Sequence, residues 1–206
     1  MKKMFKLLLT IISKFILLLN KIKVFIVPTE LQKNTMLENK IEQNLVEETF
    51  KNFKIYFKKS VLFKDISQVR EYAIKTSLLN DKNKDYYYLE FGVFKGTSTN
   101  FFSKYVNKFY VFDSFEGLNN DWIGTSNNPK INFVHLDMDT YNPTKYTLEK
   151  LKPYLVKNAI IIFDELYNFV GWEHGEYKAL KEVFNEDEFE YRGFNIKGAQ
   201  VVIKIN

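Results

Sequence analysis

Five carboxylates stand where apolar runs of the chain stop: Glu90 after residues 86–89, Asp113 after 109–112, Asp137 after 131–136, and the pair Asp164 and Glu165 after 159–163. Acidic side chains that end successive strands meet at the carboxyl edge of a parallel sheet, where open α/β sheets hold their ligands. Two kinds of chemistry suit such a set. A carboxylate beside a glycine turn can accept hydrogen bonds from a cofactor's hydroxyl or amine groups, and several carboxylates can share one hard cation that acidifies a substrate hydroxyl. Asp137, Asp164 and Glu165 are the metal candidates, and oxygen-only donation suits Mg2+ or Ca2+ rather than Zn2+. Strand-tip carboxylates also occur simply solvated or capping helices, and spacing alone leaves both readings open.

The turn itself is YYYLEFGVFKGTSTN, residues 86–100. Gly92 and Gly96, four apart, precede Thr97, Ser98 and Thr99, which reads as strand, tight turn and helix start. Glycine lets backbone approach a ligand, and a helix amino end offers unpaired N–H groups. Glycines that serve only strand–helix packing produce the same pattern. Asp113 lies about 20 positions further on, at the tip of the second strand, where a nucleotide-type cofactor's ribose would be held; capping the next turn is its other reading. Glu90, Gly92, Phe94, Gly96, Ser98, Asp113 and the adjacent Ser114 form the candidate cofactor set. The loop lacks G-x-G spacing, with Phe94 at the second glycine's place, which argues against a nicotinamide-dependent oxidoreductase.

These residues need elements to position them. From Tyr86 onward, strand patterns alternate with helical ones, the signature of a parallel sheet with crossover helices. The spacing predicts strands over 86–89, 109–112, 131–136 and 159–163, a short helix around Phe101, Phe102, Tyr105 and Val106, and a helix from Asn142-Pro143 to about Val156. Residues 188–206 read as two further strands in an antiparallel hairpin. Residues 29–85 contain neither glycine nor proline; Leu37, Ile41 and Leu45, then Val46, Phe50, Phe53 and Phe57, recur at helical spacing, which predicts two or three helices there. Another helix is expected over about 66–79, with Val69, Ala73 and Ile74 inward.

Composition narrows the classes. The chain has 206 residues, 46% hydrophobic and 17% aromatic, enough for one domain with an appendage. Cysteine is absent, so disulfides, thiolate metal sites and cysteine nucleophiles are excluded, and a cytoplasmic setting is the default. The net charge of +5 is local: residues 1–28 carry six lysines and no acid, leaving a near-neutral body that argues against nucleic-acid binding. On a helical wheel five of those lysines, Lys2, Lys3, Lys6, Lys14 and Lys21, share one sector opposite Phe5, Leu8, Ile11, Ile12, Phe15, Ile16, Leu19 and Ile22. Lys14 and Lys21 interrupt any spanning length. The segment reads as a basic amphipathic helix lying on an anionic membrane surface, with packing on a partner or a secretory signal as the other readings. The expected location is peripheral, on the inner face of the membrane.

The pieces YLEFGVFKGTS, VFDSFEGL, FVHLDMDTY and IIIFDELYNFVGWEHGEYKAL resemble the successive motifs of class I S-adenosylmethionine-dependent methyltransferases, in the branch containing the macrocin O-methyltransferase family. The resemblance runs from about Tyr86 to Ile205. It implies a Rossmann-like α/β fold, mostly parallel, with helices on both faces, C-terminal antiparallel strands and a helical N-terminal extension. It also implies transfer of a methyl group from S-adenosylmethionine to a sugar hydroxyl with Mg2+. By that resemblance Glu90, Gly92 and Gly96 belong to the cofactor loop, Asp113 binds the ribose, and Asp137, Asp164 and Glu165 are metal ligands. Asp137 matches the general base; His135, on the same strand face, and His174 are other candidates for that role. The family usually has two aspartates where this chain has Asp164-Glu165. Trp172, Glu176 and Lys178 match a segment near the acceptor pocket.

One departure bears on activity. Only 12 residues separate Leu118 from Ile131, where the family has another strand, its crossover helix and a loop of the adenine pocket. A parallel crossover takes about 10 to 12 residues by itself, so an edge strand is expected to be missing. The expected organisation is a membrane-interface helix over 1–28, a helical extension over 29–85 and a methyltransferase domain over 86–206. Two functions remain: a methyltransferase acting on a glycan or glycolipid precursor, or a non-catalytic relative that binds or scaffolds at the membrane. A homo-oligomer is compatible with either.

Overall fold

The computed structural model describes Lys14, residues 29–113 and residues 129–206. The amphipathic segment, apart from Lys14, and the stretch that contains Ser114 lie outside the described residues.

With no glycine or proline to interrupt it, α1 runs unbroken over Thr29–Phe57, one helix where the periodicity predicts two or three. Its residues up to Glu47 fall in one compact unit, and those from Glu48 belong to the body of the molecule. In the first unit Met36, Leu37, Ile41 and Val46 are exposed. In the body, Phe53 is 1% exposed, and its ring meets those of Tyr167, Trp172, Tyr177, Tyr191 and Phe194 with centroids 5.2–5.8 Å apart. The helical stripe of the sequence therefore ends as an aromatic plug.

The expectation of helix alone over 29–85 is corrected by β1, Val61–Phe63, which pairs in parallel with β6, Phe189–Asn195. Three residues are too few to show alternation against a helical background. The chain then enters α2, Ile66–Asn80, capped by the Asp65 carboxylate, which accepts from the Ser67 N–H at 2.8 Å. Val69, Ala73 and Ile74 face inward as the spacing predicts.

The remaining strands are β2, Tyr87–Phe91, β3, Tyr110–Phe112, β4, Ile131–Leu136, β5, Leu155–Phe163, and β7, Val201–Ile205. Their order across the sheet is β1-β6-β7-β5-β4-β2-β3. Every pairing is parallel except those of β7, which is antiparallel to β5 and β6, as the C-terminal hairpin predicts. All six residues of β4 are buried, as a central parallel strand requires. Among the described residues β3 ends the sheet on its side.

Helix α3, Thr97–Phe102, links β2 to β3, and α4, Tyr141–Leu151, links β4 to β5. These two connections travel in opposite directions along the sheet. Right-handed crossovers place them on opposite faces and leave a crevice between β2 and β4, at the reversal point. On one face Val69, Ala73, Ile74 and Phe102 pack against Tyr88, Phe133, Ile160, Ile162 and Val202. The alternate strand residues Leu89, Val134, Ile161 and Ile203 point to the other face.

The α4–β5 boundary differs from expectation. Pro153 sits in a 3-10 turn, Lys152–Tyr154, that ends the helix, and β5 starts at Leu155, not Ala159. Asn158 at φ 65° kinks it, beside an irregular register with β4. Helix α5, Glu176–Val183, packs with α4.

Candidate active site

The strand ends at the reversal point are tied together by backbone. The Gly92 N–H donates to the Phe112 carbonyl at 2.9 Å, the Asp137 N–H to the Phe91 carbonyl at 2.8 Å, and the Asp164 N–H to the Leu136 carbonyl at 2.9 Å. The ladder continues past the strands, so Gly92, Asp113, Asp137 and Asp164 arrive along one edge. Gly92 is held there by packing: at φ +88°, a Cβ would stand 1.8 Å from the Asp137 carbonyl oxygen. Gly96, at φ +70°, caps α3 in the left-handed region that favours glycine, and little faces it. Phe94, also at positive φ, is 90% exposed on the turn, and Ser98 is buried. Asp113 is exposed one residue beyond β3.

Glu90 lies inside β2 rather than at its tip, and is fully buried. One carboxylate oxygen is 2.9 Å from His135 Nδ1 and the other accepts from the Thr99 hydroxyl. Both oxygens are thus engaged beneath the glycine turn. Burial would raise the Glu90 pKa, but bonding to His135 and its charge, helped by Ser98 and Thr99, hold the group below the usual carboxylate range.

His135 is fully buried in β4. Its Nε2 faces Asp164 Oδ1 at 3.6 Å, too long for a hydrogen bond, and has no hydrogen-bond partner among the described residues. Burial opposes its charge, yet the two flanking carboxylates win and push its pKa up to about 9. Asp164 in turn accepts from Arg70 Nη2 at 3.2 Å and from Gln200 Nε2 at 3.3 Å. Burial works against its ionised form; His135, Arg70 and Gln200 outweigh this and lower its pKa.

Asp137 is half-buried. Burial first, then the charge of Asp164, pushes its pKa up to about 6, against the opposing pull of His135 and Arg70. Glu165 is shifted up by burial and by Asp139, Asp164 and Asp137. A ring nitrogen of His135 and one carboxylate oxygen each of Asp137 and Asp164 lie within 4.8 Å of one another; Glu165 is not part of that group. Asp139, at φ 58°, bends the chain away from the cluster into α4.

Several contributors escape the strand-tip pattern. Arg70 comes from α2, 94 residues from its partner Asp164, and its one sequence signal is its place beside the inward-facing Val69 and Ala73. Gln200 enters from the β6–β7 turn with no signal at all. Glu176 is fully buried, its Oε2 accepting from the Glu165 N–H at 3.0 Å and its Oε1 lacking a partner among the described residues. Burial pushes its pKa up to about 8. Trp172 is buried beside Tyr177, whereas His174 and Lys178 are exposed.

No family model matches the sequence. No curated protein matches it either. Among solved structures, two of CalS11, a TDP-rhamnose 3'-O-methyltransferase of calicheamicin biosynthesis, match with TM-scores of 0.50 and 0.51 at 20% and 19% identity. Each match covers 85% of this chain, and 94% and 93% of the respective CalS11 chains. The O-methyltransferase from Bacillus cereus in complex with SAH is more distant, at TM-score 0.44 and 12% identity over 91% of this chain and 96% of that one. The seven-stranded sheet with its antiparallel C-terminal strand is thus the Rossmann-like fold that CalS11 also has.

Proposed function

We propose that this chain is an S-adenosylmethionine-dependent O-methyltransferase acting on a sugar hydroxyl of a glycan or glycolipid precursor, assisted by a divalent cation. The observation that carries the reading is the meeting, at the reversal point of a fold shared with a sugar O-methyltransferase, of the glycine turn, the exposed Asp113 and the half-buried Asp137. The exposed Asp113 can accept hydrogen bonds from ribose hydroxyls, and the glycine turn that carries Phe94 and Gly96 follows the neighbouring strand β2. Glu90 supports the turn from below through Thr99. Asp137, with its pKa raised towards neutrality, suits the general base that takes the acceptor's proton as its oxygen forms the new bond to carbon. When bound, S-adenosylmethionine supplies the electrophilic methyl, and a cation at Asp137 and Asp164, for which Mg2+ is the sequence expectation, supplies Lewis acidity towards the acceptor hydroxyl. His135, bonded to Glu90 through Nδ1, stands with Nε2 towards Asp164 in this arrangement.

The basic segment 1–28 supports attachment to an anionic membrane surface, where a lipid-linked acceptor would be met. No described helix is long and apolar enough to cross a membrane. A non-catalytic, membrane-held relative is the second reading. It draws on β3 standing at the edge of the sheet among the described residues and on the short stretch of 12 residues between Leu118 and Ile131.

Calorimetric titration of S-adenosylmethionine into the full chain, with and without Mg2+, separates the two. The enzyme reading expects micromolar binding, weakened at least about tenfold by Asp113→Ala, the loss of one charge-assisted hydrogen bond. Melting temperature should not change, since Asp113 is exposed. A folded protein that binds no S-adenosylmethionine would sink it.

A further inference from the structure

We propose that His135, Asp137 and Asp164 form a mixed nitrogen–oxygen site for a borderline transition-metal dication, of the Mn2+, Fe2+, Co2+ or Zn2+ class, in preference to Mg2+, with Glu90 holding the imidazole as a ligand. The inference deepens the reading of this edge as the catalytic site, but its geometry stands apart from methyl transfer.

Three observations converge. The first is the donor set: the residues whose ligand atoms gather within 4.8 Å include an imidazole and exclude Glu165. Imidazole nitrogen suits the borderline metals, whereas Mg2+ takes oxygen ligands and keeps several waters.

The second is the direction of the ring. Nδ1 lies 2.9 Å from Glu90 Oε1, and an ionised carboxylate only accepts, so Nδ1 carries the hydrogen and Nε2 is left facing the cluster. A carboxylate that fixes a histidine's far nitrogen is the standard support of a metal-bound imidazole. Nε2 is fully buried, without a hydrogen-bond partner among the described residues, and 3.6 Å from Asp164 Oδ1. A charge-assisted hydrogen bond would bring those atoms to about 2.8 Å. Two ligands each about 2.1 Å from one ion at a tetrahedral angle stand roughly 3.4 Å apart, closer to what is seen.

The third is the support of Asp164: Arg70 bonds its Oδ1 and Gln200 its Oδ2. Asp164 keeps lone pairs free beyond those two bonds, and Arg70 and Gln200 orient it.

The test uses chelator-treated full-chain protein, with no cofactor or acceptor present. Co2+ titration followed by visible absorption should show one site, and competition should rank Co2+ and Mn2+ at least about tenfold above Mg2+. His135→Gln and Glu90→Gln should each weaken Co2+ about 10- to 100-fold, and Glu165→Gln should leave it unchanged. Should the buried variants fail to fold, pulsed electron paramagnetic resonance of Mn2+ bound to the unaltered protein reads the imidazole directly, as nitrogen coupling to the ion. Absence of that coupling, equal or tighter binding of Mg2+, or no Co2+ binding would overturn the proposal. Metal binding intact without any S-adenosylmethionine binding would overturn the enzyme reading alone.

Discussion

Glu90, His135, Asp164 and Arg70 form a chain of alternating charge through the interior, with successive separations of 2.9, 3.6 and 3.2 Å. Removing one member leaves its neighbour's charge buried and unpaired, a change that costs about 3–5 kcal/mol in such networks. Glu176 stands outside the chain and carries the opposite liability: the Glu165 N–H and the charge of His135 offset only part of its burial. Its pKa is raised from 4.5 to about 8, so the folded state favours the protonated form. The stability this contributes is complete below pH 4.5 and is lost as pH rises through 8. His135, raised from 6.5 to about 9, adds a loss of the same sign at higher pH. Thermal unfolding of chelator-treated protein should therefore show a melting temperature that falls from pH 5 to pH 8. Glu176→Gln, which keeps an acceptor for the Glu165 N–H, should flatten much of that fall. An identical fall in both proteins would remove Glu176 as its source. At this scale the acids Asp113, Asp137 and Asp164 were legible because each follows an apolar run. Arg70 and Gln200 were not, since their partners are fixed by the sheet's closure rather than by local pattern.

Two elements carry most of the positioning. The glycine turn works through shape: Gly92→Ala would drive a Cβ into the Asp137 carbonyl in a backbone region that disfavours side chains. It should destabilise the protein by at least about 2 kcal/mol in urea unfolding, through strain and the forced shift of the β4 end. A variant as stable as the parent would show that the two strand ends are not packed as described. The C-terminal half of α1 works through apolar contact. Phe53→Ala empties the space between five aromatic rings, and a loss of about 3–5 kcal/mol is expected, read as a lower midpoint of denaturant unfolding. Helix α2 and strand β4 could be read from periodicity, because each turns a regular apolar pattern to the core. The start of β5 could not, because Pro153 converts the last helical turn into an entry for the strand.

Across the whole molecule, alternation of strand and helix from Tyr86 onward foretold a parallel sheet, and the C-terminal apolar pair foretold its antiparallel strand. The far edge was hidden. Strand β1 has no partner near it in sequence: it pairs with β6, and the Ser60 hydroxyl donates to the Tyr191 carbonyl across 131 residues. That distance sets an order of events during synthesis. The ribosome delivers Val61–Phe63 long before residues 189–195, so β1 must wait, unpaired, until those residues have emerged. Closing so long a loop also places this pairing among the late steps of refolding. Ribosome-held chains stopped before residue 189 should be cut by protease around residues 60–63, and chains released at full length should resist. Equal protection in both would mean that another segment shelters β1 first. The edge strand is thus a completion mark, locked only when the last two strands are in place.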